Sequence, residues 1–223
     1  MELLHRHEIF EIEVLEKLKN KGFLRPLVFI GGTMLRLCYE LGRYSTDLDF
    51  WFVKRTDEKA YFKELKNFLG GDYELTDAQL KFHTLLFEIR NNNYPKRLKI
   101  EIRKELKECD IQERIAFSRF STKQIIVTVA TLEEAMKNKI KAALDRKDIR
   151  DFYDIEFLVR QGVALPCAKK ELLALRSILN GFKERDYKVA LGSLLDAESR
   201  KYYMKNKFDF LLHKIDAAPL KGH

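Results

Sequence analysis

Two aspartates in the segment STDLDFWFV (residues 45–53) have the spacing of side chains that bind a cation together. Asp47 and Asp49 are separated by one residue, so on a β-strand both carboxylates point to the same face with their Cα atoms about 7 Å apart. Neighbouring carboxylates repel each other unless a cation or water compensates their charge, and Mg²⁺ and Mn²⁺ prefer oxygen ligands. The pair therefore indicates a divalent metal site; the alternative is an edge strand with both carboxylates facing water.

The preceding segment has the composition of an anion-binding turn. The apolar run LVFI (27–30) predicts a short strand, and Gly31, Gly32 and Thr33 follow it directly before an apolar helical pattern. A helix N-terminus presents unpaired N–H groups and a partial positive charge. Glycines there allow close approach of a phosphate, and the threonine can cap the helix or donate its hydroxyl. We expect a phosphate-binding bend; a plain strand-to-helix turn is the alternative.

Glu101 is a candidate third carboxylate. It lies in the middle of RLKIEIR (97–103), on the face opposite three apolar side chains, and this run forms a predicted hairpin with KFHTLLFEIR (81–90). If the strand lies beside residues 45–53, the glutamate completes a three-carboxylate site. Two ions a few Å apart could then clamp an in-line phosphoryl displacement. A glutamate on the solvent face of a strand is the alternative.

A lysine and two aspartates form a third group in the segment KNKIKAALDRKDIRDFYDI. Lys139 lies on a predicted helix, and a lysine ammonium is a compact charge suited to a triphosphate or its transition state. Asp151 and Asp154 are three residues apart and so project from the same side of a helix, with Arg146 or Arg150 available as ion-pair partners. An ion-paired, solvated helix surface is the alternative interpretation.

Hydrophobic periodicity divides the chain into two parts at about residue 130. The predicted helices cover residues 8–19, the residues after the Gly-Gly-Thr bend, 57–69, 131–144, 148–161, 167–180, 183–195 and 198–213; the predicted strands cover 27–30, 45–53, 81–90, 97–103 and 124–129. We therefore predict an α+β fold. Residues 1–130 form an α/β domain with a mixed sheet flanked by helices, and residues 131–223 form a helical domain packed against it.

Composition and charge are those of a soluble protein with a phosphate-rich partner. The 223 residues contain 42 Lys and Arg against 34 Asp and Glu. Cationic surface supplies the salt-dependent part of nucleic-acid affinity, and a merely lysine-rich protein is the alternative. Cys38, Cys109 and Cys167 are far apart, which indicates reduced thiols rather than a disulfide or zinc site. Without a long apolar run or a secretory signal, we expect a cytoplasmic protein that makes no membrane contact.

The combined motifs resemble those of a known family. Strand, Gly-Gly-Thr, helix and Asp-x-Asp on the next strand resemble the nucleotidyltransferase superfamily, the fold of DNA polymerase beta-type enzymes. Together with the lysine and aspartate segment, GGTMLRLCYELGRYSTDLDF is similar to the AbiEii/AbiGii toxin family, and the resemblance covers about residues 8–160. The matching positions are Gly31, Gly32, Thr33, Arg36, Thr46, Asp47, Asp49, Lys139, Arg146, Arg150, Asp151 and Asp154.

The resemblance implies the toxic half of a type IV toxin–antitoxin or abortive-infection system. Such proteins use a nucleoside triphosphate and Mg²⁺ (or Mn²⁺), and some add nucleotides to the 3′ end of tRNA acceptor stems, which blocks translation. The implied fold is a nucleotidyltransferase sheet whose active-site cleft is completed by the helical domain. The implied partners are a nucleoside triphosphate, tRNA or another RNA, and a cognate antitoxin protein.

The resemblance also implies a role for each matching residue. Asp47 and Asp49 would hold the metal, with Glu101 as a third ligand by inference from the superfamily. Asp151 would be the second essential carboxylate, as a base or as the residue that orients Lys139. The implied catalytic residues are thus Asp47, Asp49, Lys139 and Asp151, and the implied nucleotide-binding residues are Gly31, Gly32, Thr33, Arg36 and Lys139. Arg36 and Arg150 are candidates for phosphate contacts or for ion pairs.

These observations lead to one main hypothesis and two alternatives. The main hypothesis is metal-dependent transfer of a nucleotide to an RNA, with the 3′ end of tRNA as the first candidate acceptor and an antitoxin that neutralises the growth inhibition. The first alternative is nucleotidylation of a protein or a small molecule; a cationic sugar would require an acidic pocket, which the basic composition disfavours. The second is a non-catalytic module that binds a nucleotide or a partner.

Overall fold

The computed structural model describes residues 1–218, which form two compact units. The first comprises residues 1–40 and 44–131, and the second comprises Leu41–Arg43 and the residues from Leu132 onward. The short segment 41–43 therefore belongs to the helical unit, although elements of the first unit flank it in the sequence. The predicted helical domain extended to residue 223, and its residues 219–223 lie outside the described part.

The first unit contains seven strands in one mixed sheet and three helices. Its elements are α1 (Glu2–Asn20), β1 (Leu27–Ile30), α2 (Gly31–Tyr39), β2 (Asp47–Phe52), α3 (Glu58–Asp72), β3 (Glu74–Leu80), β4 (Thr84–Arg90), β5 (Leu98–Leu106), β6 (Ile111–Phe117) and β7 (Gln124–Ala130). The strand order is β3-β4-β5-β2-β1-β7-β6. β2 pairs in parallel with β5 and β1 in parallel with β7, while the other neighbours are antiparallel. The predicted mixed sheet is confirmed.

The two edge strands, β3 and β6, were not predicted from the sequence. Their segments, ELTDAQL and IQERIAF, carry polar or charged side chains at many positions and lack the alternation that identifies a half-buried strand. Charged side chains on an edge strand hinder pairing with another chain. Their strand conformation depends on pairing with β4 and β7, which the local sequence does not reveal.

One face of the sheet is packed by aromatic side chains. Phe50 of β2 is buried and stacks on Phe29 of β1, with ring centroids 5.1 Å apart. Phe52 contacts Tyr61 of α3 edge-on at 5.3 Å. Burying each such side chain contributes about 1.5–3 kcal/mol of stability. The assignment of alternate β2 side chains to the two faces of the sheet is thereby fixed, because moving these aromatic side chains out of the core would lose this stabilisation.

The opposite face of β2 carries the predicted metal ligands. Asp47 and Asp49 are partly exposed there, and Trp51 is buried in a small apolar cluster with Val28 and Ile30 of β1. The alternation predicted for this strand is confirmed. A strand with one apolar face in the core therefore holds two carboxylates at fixed positions on its other face.

The second unit is helical. It contains α4 (Leu132–Arg146), α5 (Ile149–Arg160), α6 (Lys169–Gly181), a π-helical turn (Asp186–Leu191), a 3₁₀ turn (Gly192–Leu194), α7 (Ala197–Asn206) and α8 (Asp209–Asp216). Its interior includes an aromatic cluster in which Phe208 contacts Tyr187 and Tyr203 with ring centroids 5.6 and 5.4 Å apart. Within residues 1–218, no helix is long and apolar enough to cross a membrane.

Several predicted helix boundaries are wrong. α3 was expected to end before Gly70 and Gly71 but continues through both, closed by a hydrogen bond from Tyr73 N to Leu69 O. The predicted helix over 198–213 is two helices, because Lys207 takes a positive φ of 51° that an α-helix does not allow. Apolar periodicity alone did not reveal this interruption.

Candidate active site

Pairing of β2 with β5 brings carboxylates of the two strands side by side. The strands are parallel neighbours, and Asp49 lies opposite Glu101 in their register. Neighbouring strands are about 4.8 Å apart, so the condition under which Glu101 was predicted to join the aspartates is met. Asp47, Asp49 and Glu101 thus share one face of the sheet in the first unit.

The bend after β1 lies against the carboxylate of Asp49. Ile30 is the partner of Asp49 in the β1–β2 ladder, and Gly31 then takes a φ of +83°, in the region that favours glycine. A Cβ on Gly31 would lie 2.6 Å from Asp49 Oδ2. A residue without a side chain is therefore required for this carboxylate to approach the bend so closely.

Most of the predicted phosphate-binding bend is buried. Gly31 is partly exposed, but Gly32 and Thr33 are buried. Thr33 Oγ1 has no hydrogen-bond partner within residues 1–218, so its hydroxyl does not cap α2, and this suggested role is wrong. Among the three residues of the predicted phosphate-binding bend, Gly31 is the most accessible in this conformation.

Lys99, which was not predicted as a site residue, lies among the three carboxylates. It is the register partner of Asp47, and its Nζ lies 2.5 Å from Glu101 Oε1. Burial disfavours the charged ammonium, but the hydrogen bond to Glu101 and the charges of Glu101, Asp47 and Asp49 outweigh burial and raise the pKa of Lys99. Apolar and charged residues alternate in RLKIEIR, which places Lys99 and Glu101 on one face of the strand. This pattern is the sequence signal that could have identified Lys99.

The carboxylates fit a divalent cation by their chemistry. They offer the oxygen ligands that Mg²⁺ and Mn²⁺ prefer, and the Gly31 bend leaves room for Asp49 where a Cβ would collide with it. In the part of the chain that the structure describes, no group of three or more His, Cys, Asp or Glu side chains is already arranged to hold an ion. Since Glu101 is engaged by Lys99, Asp47 and Asp49 are the residues that fit this role best.

Arg36, a predicted nucleotide-binding residue, takes part in an ion pair. Its Nε donates to Glu8 Oε2 at 2.8 Å, and its guanidinium lies 4.3 Å from the centre of the Tyr44 ring. Ser118 Oγ donates to the other oxygen of Glu8 at 2.6 Å. The structure therefore shows the ion pair, one of two roles considered for Arg36, and its phosphate contact stays a prediction.

Two buried titratable side chains of α1 lie near the start of β2. His7 Nε2 donates to the carbonyl oxygen of Thr46 at 3.0 Å and so holds the backbone just before Asp47; burial lowers the pKa of His7. Glu11 is fully buried, and burial, together with the charges of Glu8 and Asp47, raises its pKa well above the usual value. Neither residue was predicted, because periodicity does not show which polar side chains a helix buries.

In the second unit, Lys139 bridges two carboxylates of α5. Its Nζ lies 2.6 Å from Asp154 Oδ2 and 3.3 Å from Asp151 Oδ1. The predicted neighbourhood of Lys139 and Asp151 is present, and the shorter contact is with Asp154. The essential role assigned to Asp151 stays a prediction.

Arg43 completes this ion-paired group and was not predicted. Its Nε and Nη2 donate to the two oxygens of Asp154, each at 2.6 Å. Burial opposes ionisation of Asp154, but the charges of Arg43 and Lys139 outweigh burial and lower the pKa of this carboxyl. The carboxylate is therefore held by two cations, one from α4 and one from the short segment 41–43.

The two arginines considered as partners of the α5 aspartates differ. Arg146 Nη2 donates to both oxygens of Asp151 at 2.9 Å. Arg150 Nη2 donates to Asp148, the N-cap of α5, at 2.5 Å. Arg146 is thus observed in an ion pair with a predicted catalytic residue.

Comparison with known proteins identifies the family. A sequence model described as "Nucleotidyl transferase AbiEii toxin, Type IV TA system" matches residues 13–217. The chain belongs to the AbiEii toxin family. It is therefore a nucleotidyltransferase toxin, as the resemblance implied, and AbiEii membership implies a nucleotide substrate and an antitoxin partner.

Two solved structures are similar to this chain, and the first of them shares its fold. A protein from H. pylori described as a candidate nucleotidyltransferase is 21% identical, with 96% of this chain and 98% of that chain covered and a TM-score of 0.53. JHP933 from Helicobacter pylori is also 21% identical, with 92% and 94% covered and a TM-score of 0.49. No match is found among curated protein sequences. The predicted α+β nucleotidyltransferase fold is confirmed.

Proposed function

We propose that this AbiEii-family toxin transfers a nucleotide from a nucleoside triphosphate to an RNA, with the 3′ end of tRNA as the favoured acceptor. Asp47 and Asp49 hold the divalent cation for this reaction. The observation that carries the proposal is the contact between Asp49 and the Gly31 bend, because it joins a carboxylate pair to a helix N-terminus. The carboxylate pair suits a cation. The helix N-terminus suits the phosphates that the cation accompanies.

The residues of the first unit have distinct tasks in this reaction. Asp47 and Asp49 supply oxygen ligands from one face of β2, and the N-terminus of α2 at Gly31 supplies N–H groups and partial positive charge for the triphosphate. A bound Mg²⁺ or Mn²⁺ would supply Lewis-acid chemistry, which lowers the pKa of an attacking hydroxyl and stabilises the leaving pyrophosphate. The β2 ladder keeps these groups in fixed register, which limits the reorganisation needed before transfer.

Lys139 and Asp151 are the residues that we assign to the reaction from the second unit. The Lys139 side chain is only 12% exposed and is held by two carboxylates. An ammonium fixed in this way is suited to a phosphate in the transition state. Asp151 then acts as a base or as the residue that, with Asp154, orients Lys139.

A surface of the first unit supports a nucleic-acid acceptor. It consists of Lys81, Phe82, Arg103 and Lys107, which we call the basic end of the sheet. Arg103 and Lys107 lie 6.0 and 5.5 Å from the centre of the Trp51 ring, on the strand that carries the aspartates. Lys81 and Phe82 belong to the turn between β3 and β4. A hydrogen bond from Lys104 N to His83 O connects that turn to β5.

Phe82 is the most exposed large apolar side chain of this surface, at 86%. An exposed aromatic ring among cations offers a base-stacking platform, and the cations attract phosphates. A cationic sugar would be repelled by the same groups. The basic end therefore supports an RNA acceptor over a small cationic one.

The decisive test is transfer itself. The protein is incubated with each labelled nucleoside triphosphate, Mg²⁺ and total RNA, beside the Asp47→Ala variant. We expect label on RNA of tRNA size with the wild type and none with the variant. Label on protein instead would favour the first alternative, and no label on any acceptor, from protein with intact circular dichroism, would favour a binding module.

Growth experiments test the proposed toxicity and its control. Induced expression of the wild type should arrest growth, and Asp47→Ala should relieve the arrest. Co-expression of a cognate antitoxin should also relieve it. Growth arrest that persists in cells expressing Asp47→Ala would show that toxicity does not depend on nucleotide transfer.

The contribution of the basic end is tested by Phe82→Ala. Loss of one stacking platform should weaken binding of single-stranded RNA by 1–3 kcal/mol, roughly 5- to 150-fold, without changing nucleotide affinity. Phe120→Ala is the control, since Phe120 is another exposed phenylalanine of the first unit, at 36%. Equal RNA affinities for the two variants would remove this support for an RNA acceptor.

A further inference from the structure

The carboxylate face already contains a cation of its own. Lys99 is the cross-strand partner of Asp47, and its Nζ lies 2.5 Å from Glu101 Oε1. Glu101 in turn is the cross-strand partner of Asp49. Four charged side chains of two adjacent strands thus form a square on one face of the sheet, with three negative corners and one positive corner.

This pairing changes the role expected of Glu101. A carboxylate that is hydrogen-bonded to an ammonium is not free to ligate an ion without first losing that partner. In the described part of the chain, the three carboxylates are not arranged as a ready-made ion site, which agrees with Glu101 being held by Lys99.

We propose that Lys99, held by Glu101, supplies the positive charge that a second divalent ion would supply beside Asp47, so that the protein's own site takes one divalent cation, on Asp47 and Asp49. This inference rests on the proposed function. Glu101 is then a positioning residue for Lys99 rather than a metal ligand. A lysine at this position provides fixed charge whose presence does not depend on metal concentration.

Counting bound ions tests the inference without any measurement of activity. Mn²⁺ alone is titrated into the full-length protein, and free Mn²⁺ is followed by electron paramagnetic resonance. The wild type should bind one ion, and Asp49→Asn should lose that ion. In Lys99→Met, Glu101 is released and the repulsion between the ammonium and the metal is removed, so a second ion should bind or the first should bind at least about tenfold more tightly.

A double variant distinguishes a positioning role of Glu101 from ligation. If Glu101 only holds Lys99, removing both in Lys99→Met/Glu101→Gln removes no net charge and no ligand, so the Mn²⁺ affinity should stay within about threefold of the wild type. If Glu101 is a ligand, the double variant should lose tenfold or more. That loss would overturn the inference, as would two ions in the wild type.

A matched lysine provides the control. Lys123 forms an ion pair with Glu16 in the same unit, and its side chain is 39% exposed against 38% for Lys99. Lys123→Met should leave the Mn²⁺ count and affinity unchanged. If Lys99→Met behaves in the same way while the wild type binds one Mn²⁺ and transfers nucleotides, the inference fails and the proposed function stands. If the wild type neither binds Mn²⁺ nor transfers nucleotides, both fail.

Discussion

The charged groups of the two units are organised in opposite ways. On β2 and β5, three carboxylates and Lys99 lie on one face of the sheet and remain partly exposed. In the helical unit, Asp154 is fully buried and is held by both Arg43 and Lys139. The first arrangement presents carboxylate oxygens on an accessible face, whereas the second encloses its carboxylate between two cations. A ligand site and a preformed ion-paired scaffold thus have different electrostatics, and five substitutions test this distinction.

The largest expected effect is the loss of transfer activity in Asp49→Asn. The substitution removes a charge that the cation requires while keeping the shape of the side chain. Nucleotide transfer should therefore fall by at least about 10²–10³-fold, whereas the free energy of unfolding should change by less than about 1 kcal/mol because a like-charge contact is relieved. Initial rates and urea unfolding measure the two quantities. A stability loss as large as that of Arg43→Ala would show that the two regions do not differ as described.

The largest effect on stability is expected from Arg43→Ala. Removing one partner of a buried ion pair leaves an uncompensated charge, which costs roughly 3–5 kcal/mol. Arg146→Ala is the control, because the Arg146 side chain is 56% exposed and its buried partner Asp151 keeps its contact with Lys139, so a smaller loss is expected. Urea unfolding of both variants gives the comparison. Equal losses would mean that Arg43 is no more structural than a surface arginine.

A smaller loss of stability is expected from Gly31→Ala. A non-glycine residue at positive φ costs about 1–2 kcal/mol, and at Gly31 the new Cβ would also collide with Asp49. Gly162 has a similar φ of +87° but nothing within 4 Å of such a Cβ. Gly162→Ala should therefore lose a similar amount of stability and keep its activity, whereas Gly31→Ala should lose both. Full transfer activity in Gly31→Ala would show that the position of Asp49 is not critical.

The smallest expected changes are in the pH dependence of stability, and they are opposite in sign for two buried carboxyl groups. The raised pKa of Glu11 contributes stability that is present below about pH 4.5 and is lost as pH rises, so Glu11→Gln should stabilise the protein at pH 7 and lose that gain in acid. The lowered pKa of Asp154 contributes stability that is present above about pH 3.8 and is lost as pH falls, so the destabilisation of Asp154→Asn should shrink in acid. Urea unfolding between pH 3 and 7 measures both trends.

Much of the first site could be predicted because its information is local. The spacing of Asp47 and Asp49 defines one face of the strand, and the apolar residues Leu48, Phe50 and Phe52 define the other. Gly31 precedes them by fewer than twenty residues and marks the bend. The position of Glu101 could be predicted only by assuming that its strand lies beside the strand of the two aspartates. The pairing of β2 with β5 meets this assumption.

The parts that were missed depend on contacts between distant segments. Arg43 and Asp154 are 111 residues apart, and no local pattern links them. The ion pair of Arg36 with Glu8 likewise joins two helices. The edge strands carry too few apolar residues to show a period of two, so their structure depends on their neighbours in the sheet.

The one tryptophan of the chain, Trp51, lies on the same face of β2 as Asp47 and Asp49 and beneath two cationic side chains. Indole emission responds to nearby charge, so the native protein carries its own optical reporter two residues along the strand from Asp49. Quenching or a spectral shift can therefore follow arrival of an ion or a nucleotide in real time, without a dye or an engineered label.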